Sequence, residues 1–371
     1  MILFILRNRK RALLLCICAA LVVCVAGCCE RCEENTPPAS SDASTNAAAE
    51  EHSVSEPLEN TAYVPTDDNT MCEFIDLSDY IPFDEKNVLK TLDEPATMRF
   101  TVGDTLPKLD GTWDLYPAYA AIAQATYPDY LNEGVHKGSI MNFVKCIGTP
   151  WAYQRLADRE CDMIFVPGPD EEQEAYAREK GVELVYTPVC REAFVFFVHP
   201  DNPIDELSQD EIRGIYSGNI TRWSQLDVPG LKKILAYQRN KDHASQMAME
   251  QLVMQGTPLM TPPVDLGPYD WDYVDVLGLV TDYQNRPGAI GYSFRIYCSA
   301  PSNKDIHVKL LAVDGVEPTA ENIENGAYPL IVTFYAVTRS DANKSTRALL
   351  DWICSEQGQD LIEKAGYIRI Q

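Results

Sequence analysis

From Arg99 to the C-terminus, short apolar runs rich in β-branched and aromatic residues alternate with amphipathic segments. This alternation constrains the fold more than any other feature. Strand-like runs lie at 98–102, 143–147, 162–166, 182–186, 193–198, 234–237, 289–292, 309–312 and 331–337. A helical pattern at 114–127 places Leu115, Tyr119, Ile122 and Thr126 on one face, and another spans 246–255. Strands separated by helix-length segments imply an α/β architecture with crossover helices. A body running from 99 to 371 is long for one core, so two lobes are expected.

The residues before this body have a different character. Arg7, Arg9, Lys10 and Arg11 precede an apolar run at 12–26, and no acidic residue occurs before Cys28. Such a run is short for a bilayer span but suits a signal segment. It ends in Val25, Ala26, Gly27 and Cys28, resembling the lipobox of bacterial lipoproteins. That resemblance implies a signal peptide at 1–27, lipidation of Cys28, and anchoring to the extracytoplasmic face of the cell membrane. Residues 28–71, poor in large apolar side chains, read as a disordered acidic tether.

Formal net charge is −24, and residues 29–98 alone hold 17 acidic side chains against 3 basic ones. A chain this acidic cannot neutralise phosphates along a nucleic acid, so no nucleic-acid partner is expected. Repulsion from anionic lipid makes a covalent anchor useful.

Of the twelve cysteines, Cys16, Cys18 and Cys24 fall in the signal. Cys29 and Cys32 form a CxxC with no second pair to complete a zinc site. Cys72, Cys146, Cys161, Cys190, Cys298 and Cys354 are scattered, several within apolar runs, and read as buried free thiols, although an exported chain could pair some of them. The five histidines, at 52, 136, 199, 243 and 307, are not at metal-ligand spacing, and no nucleophile-elbow, HExxH or phosphate-loop motif occurs. An acidic aromatic stretch at 269–273 reads as surface. No enzyme, metal or cofactor is expected.

Four strand-to-helix junctions carry the chemistry. The first runs from Leu109 through Asp110, Gly111, Thr112 and Trp113 to Asp114. In the second, Gly148 leads to Thr149 as N-cap and Pro150 at the first helical position. The third has Asp170 and Gln173 at capping-box spacing, and the fourth carries Arg239 and then Ser245 before a helix. In α/β proteins, helix N-termini at strand carboxyl ends gather anions.

At these residues the chain resembles the phosphate-binding lipoproteins of bacterial ABC phosphate uptake systems, within the type II periplasmic binding protein superfamily. The matching stretches are YIPF at 80–83, LDG at 109–111, YPAYAA at 116–121, REAFVFFV at 191–198 and IYSGNITRW at 215–223. GTPLM at 256–260, AIGYSF at 289–294 and the stretch 352–366 continue the series. The resemblance implies a two-lobed α/β clamshell with a hinge between lobes. Lobe 1 would comprise 72–198 plus 308–371, and lobe 2 would comprise 199–307. It also implies a monomer that captures phosphate or a related oxyanion for an ABC permease.

Carried over position by position, the ligand set is Gly111, Thr112, Trp113, Asp114, Thr149, Asp170, Arg239, His243, Ala244 and Ser245. Thr149, Arg239 and Ser245 keep the family's chemistry. Trp113 replaces a small hydroxyl residue and either fills the pocket or packs in its wall. Asp114 either occupies the anion site or caps its helix. Asp170 could cap its helix or accept a ligand proton, and Arg239 could anchor the anion or form a salt bridge. His243 and Ala244 replace hydroxyl and glycine, and His243 could donate to an anion, respond to pH or be solvated. Two other outcomes therefore stay open: the same fold taking a different small solute, or a surface lipoprotein used for sensing.

Overall fold

The computed structural model describes residues 77–168, 171–239, 243–262, 287–298 and 307–370. The signal, the tether, Cys28, Cys29, Cys32, Cys72, Asp170 and the stretch 269–273 lie outside them.

One eight-stranded sheet organises these residues. Its strands are β1 (Leu109–Gly111), β2 (Met163–Pro167), β3 (Leu184–Val198), β5 (Leu235–Ala236), β6 (Ala289–Phe294), β7 (Lys309–Leu310), β9 (Ile331–Arg339) and β10 (Ile368–Arg369). The main path is β1-β2-β9-β3-β6-β5, with β7 and β10 also pairing β3. A small parallel pair joins β4 (Glu206–Leu207) to β8 (Ala312–Val313). Helices α1 (Tyr116–Thr126), α2 (Thr149–Ala157), α3 (Glu171–Glu179) and α4 (Gln209–Tyr216) come from the first part of the chain. They are followed by α5 (Ala244–Ala248), α6 (Arg295–Cys298), α7 (Ala320–Glu324), α8 (Lys344–Ile353) and α9 (Glu356–Lys364). Among the described residues, no helix is long and apolar enough to cross a membrane.

Strand β3 is the spine. Its first part, Leu184 to Ala193, pairs antiparallel with β9, while Phe194 to Val198 pair with β6. Every side chain from Ala193 to Val198 is fully buried. A strand covered on both faces must be apolar without alternation, which is why AFVFFV can sit there. Around it Phe194, Phe196, Tyr216, Tyr292, Phe294 and Phe334 pack with ring centroids 5.1–6.1 Å apart. Edge-to-face pairs of this kind contribute about 0.5–1.5 kcal/mol each beyond their burial.

Several sequence expectations need correction. Residues 98–102 form no strand, because Asp104 accepts hydrogen bonds from the Thr101 N–H (2.7 Å) and hydroxyl (2.9 Å) and folds the chain into a turn. Residues 143–147 make only an isolated bridge from Val144 to Leu109, since the Ile147 N–H turns to the Asp110 carboxylate. Residues 184–186 of the run 182–186 and the whole run 193–198 belong to the single strand β3, which absorbs Pro188 at a register shift between Pro188 and Cys190. The run 309–312 is split into β7 and β8. Cys161 and Cys190 are buried free thiols and Cys146 is buried, but Cys298 is half-buried and Cys354 exposed.

Where β3 changes partners, Glu192 is fully buried. Its carboxylate accepts from the Ala193 N–H (2.8 Å) and from Arg295 Nε (2.9 Å) and Nη2 (3.2 Å). Arg295 Nη2 also donates to the Gly366 carbonyl at 3.0 Å. Burial pushes the Glu192 carboxyl up to about 7, and the Arg295 charge only partly opposes it. Removing one partner of a buried pair costs about 3–5 kcal/mol, whereas replacing both can be near neutral. Arg295→Met is therefore expected to lower the urea midpoint sharply, and Glu192→Gln with Arg295→Met to recover most of it. An unchanged midpoint in the single variant would contradict this.

Candidate functional site

Strand β1 lies parallel to β2, with Gly111 opposite Phe165. A β-carbon at Gly111 would collide with the Phe165 carbonyl, so glycine is required by close approach. The Thr112 N–H donates to that carbonyl at 2.9 Å. Asp110, fully buried, braces the turn: its Oδ1 accepts from the Gly111 N–H (2.8 Å) and the Ile147 N–H (3.1 Å), while Arg155 Nε on α2 lies 3.4 Å from Oδ2. One carboxylate thus ties the end of β1 to the loop that enters α2. Burial pushes Asp110 up to about 6, against the pull of Arg155 and the two amides.

Helix α2 begins at Thr149, one residue earlier than the spacing suggested, and its N-cap is Gly148 at φ 93°. Thr149 is therefore not the cap. It is 1% exposed, and its Oγ1 has no hydrogen-bond partner among the described residues. An unpartnered buried hydroxyl at a helix N-terminus is a donor available to an anion.

Thr112 and Trp113 are already engaged. The Thr112 hydroxyl donates to Asp114 Oδ2 at 3.0 Å. Trp113 Nε1 donates to the Cys146 carbonyl at 3.3 Å, so the half-buried indole packs against the α2 loop, close to Gly148. Its ring stands 5.4 Å from that of His243. The first junction therefore meets the second through Gly148 and the fourth through His243. Asp170 of the third junction lies outside the described residues.

Arg239 follows β5. Its backbone N–H donates to Gln246 Oε1 (3.2 Å) and the Tyr292 hydroxyl (3.1 Å). Tyr292 bonds Gln246, and Gln246 in turn bonds Glu250 at 2.8 Å. The guanidinium lies 5.7 Å from the Tyr297 ring, and its Nε and Nη2 are buried without a hydrogen-bond partner among the described residues. Two aligned N–H groups on a fixed cation suit bidentate binding of an oxyanion.

His243, not Ser245, caps the following helix, because α5 begins at Ala244. The His243 Nδ1 accepts from the Ser245 N–H at 3.3 Å and lies 2.9 Å from the Ser245 hydroxyl. Burial, then the Arg239 charge, hold the half-buried imidazole well below its usual pKa, which favours its neutral form. Ala244 and Ser245 are buried. Asp114 is 7% exposed, and burial pushes it up to about 6 against the Thr112 hydroxyl and the Arg239 charge. The supports Asp110, Arg155, Tyr292, Gln246 and Tyr297 were not singled out from the sequence. Asp110 was named only as part of the first junction, as the acidic residue between Leu109 and Gly111. Among the described residues, no group of three or more His, Cys, Asp or Glu side chains could hold a metal.

Because the folded value for Asp114 lies above the ordinary 3.8, its stabilising contribution is complete below about pH 4 and lost as pH rises through about 6. Asp114→Asn is expected to flatten the fall in stability between pH 4 and 7 by on the order of 2 kcal/mol. Urea midpoints at both pH values, for variant and wild type, test this. Parallel pH slopes would refute it.

A PBP superfamily domain matches residues 143–357. The phosphate-binding protein PstS of Bacillus subtilis is 27% identical over 202 residues, covering 53% of this chain and 63% of that one. Its counterpart in Pseudomonas aeruginosa is 26% identical over 215 residues, covering 54% and 64%. Each match spans less than two thirds of the relative. Among solved structures, one from Clostridium perfringens, described as a phosphate ABC transporter substrate-binding protein with bound phosphate, gives a TM-score of 0.54. It is 21% identical, over 72% of this chain and 100% of that one. An ABC-type phosphate transport receptor from Vibrio cholerae gives 0.51 at 19% identity, over 71% and 100%. The expected two-lobed α/β clamshell is thus the fold, and the chain belongs to the PBP superfamily.

Proposed function

We propose that the protein is an extracytoplasmic solute-binding lipoprotein that captures phosphate or a related oxyanion for an ABC importer. The observation that carries this is the presence of two sets of buried donors without a partner among the described residues, Thr149 Oγ1 and Arg239 Nε and Nη2, on junctions linked through Trp113 and His243. Leaving such groups buried without partners costs about 1–3 kcal/mol each, more when charged, so an oxyanion that satisfies them stabilises the site. The similarity to phosphate-binding proteins supports the same ligand class.

In this reading Thr149 and Arg239 bind the anion, Gly111 and Thr112 shape the turn, and Trp113, His243, Ala244 and Ser245 line the site. The protein acts as a monomer that binds without turnover and hands its solute to the permease. Lipidated Cys28 and the tether at 28–71 hold it at the membrane, and the lobes divide as 72–198 plus 308–371 and 199–307. A second reading, a different small solute in the same cleft, is favoured by one observation. The Ser245 hydroxyl and N–H face His243, and Trp113 Nε1 is turned to Cys146, which leaves fewer donors for a tetrahedral oxyanion.

Calorimetric titration of the full chain with phosphate tests both. Submicromolar binding is expected, weakened about tenfold or more in Thr149→Ala and further in Arg239→Ala. Absence of binding by wild type to phosphate, sulfate and molybdate alike would sink the oxyanion reading and leave the second.

A further inference from the structure

Trp113 and His243 are rings at positions where small hydroxyl residues were expected, and each is held from behind. The indole is tied by Nε1 to the Cys146 carbonyl, and its Cζ2 lies 3.7 Å from where a β-carbon on Gly148 would stand. Gly148 immediately precedes Thr149. The imidazole is held through Nδ1 by the Ser245 N–H and hydroxyl, the contact that caps α5. Neither ring turns aside without giving up a hydrogen bond. Their centroids are 5.4 Å apart at an interplanar angle of 56°, which is direct ring contact. Burial shows on which side of the donors that contact stands. Thr149, Ala244 and Ser245 are at most 3% exposed and Arg239 Nε and Nη2 are buried, whereas both rings are half-buried. The rings therefore lie nearer solvent than the donors they adjoin. Carbon atoms pack at about 3.5–4.0 Å, so a methylene passing between two rings needs them about 7–8 Å apart. At 5.4 Å between centroids an alkyl chain does not pass.

Resting on the oxyanion reading above, we infer that Trp113 and His243 are specificity-determining residues, whose ring contact walls the solvent side of the site and restricts capture to free inorganic oxyanions, excluding phosphate monoesters. A free tetrahedral oxyanion has no substituent to accommodate and fits behind the rings. A monoester offers the same charge to Arg239 and Thr149, but its alkyl group has to lead outward, where it meets the indole and the imidazole. Small hydroxyl residues at both positions would leave that side open. The rings thus replace hydrogen-bond donors by a steric criterion, which acts on the substituent and not on the oxygens.

The test is calorimetry of the full chain at pH 8 with inorganic phosphate, methyl phosphate and glycerol phosphate, all close to dianions there. Wild type is expected to favour phosphate over either ester by about a hundredfold or more, the scale on which one misfitting methylene discriminates. Trp113→Ala is expected to shrink that ratio by about tenfold or more, even if phosphate affinity itself changes. His243→Asn removes the other ring but keeps a side-chain oxygen able to cap α5, so it opens the wall from the opposite junction and serves if Trp113→Ala folds poorly. The ratio is the readout because a general loosening of the fold weakens phosphate and ester alike. A fall in either variant supports the inference. An unchanged ratio in both, or a wild type that binds an ester as tightly as phosphate, overturns it and leaves oxyanion capture intact. Failure of wild type to bind any of the three, together with sulfate and molybdate, overturns both readings.

Discussion

The described structure depends on the continuous backbone ladder of β3. Fifteen residues from Leu184 to Val198 are hydrogen-bonded to β9 along the first part and to β6 along the second, so both groups of strands hang on one chain segment. Because its second half is covered on both faces, it must be apolar at every position, and that demand explains the REAFVFFV run. The buried carboxyl at the changeover, Glu192, is matched by Arg295, which also holds the Gly366 carbonyl near the C-terminus.

A second buried carboxylate plays the equivalent part at the site. Asp110 holds the end of β1 and the entry to α2 in fixed relation, accepting one amide from each and facing Arg155. That arrangement leaves the Thr149 hydroxyl on the first turn without a partner among the described residues, while Tyr292 and Gln246 fix the backbone of Arg239. The unused donors are therefore built in by their supports rather than left over. Trp113 and His243 bring the two junctions into ring contact, and Trp113 Nε1 and the Ser245 hydroxyl are engaged with the Cys146 carbonyl and His243 rather than free.

Much of the fold was legible because burial imposes its own pattern. The runs at 162–166, 193–198, 289–292 and 331–337 became strands, and Tyr119, Ile122 and Thr126 are buried on α1 with Leu115 buried at its N-cap. Failures fell where side chains compete with the backbone for hydrogen bonds. Asp104 turned residues 101–104 out of a strand, and Asp110 drew the Ile147 amide off the ladder. The capping residues were misplaced by one or two positions. Gly148 could adopt a positive φ in place of Thr149, and an imidazole nitrogen could do what a serine oxygen does elsewhere.

The sequence by itself determined the α/β class, the acidic charge, the family resemblance and the identity of Thr149, Arg239 and Ser245, since these depend on residue type and spacing. Only the tertiary structure decided which of those groups keep a free donor. Among the described residues it left Thr149 Oγ1 and two Arg239 nitrogens without a hydrogen-bond partner, and it turned Ser245 toward His243. Hydrogen-bond satisfaction and the ionisation of a buried carboxyl depend on neighbours over a hundred residues away, and no local pattern records them.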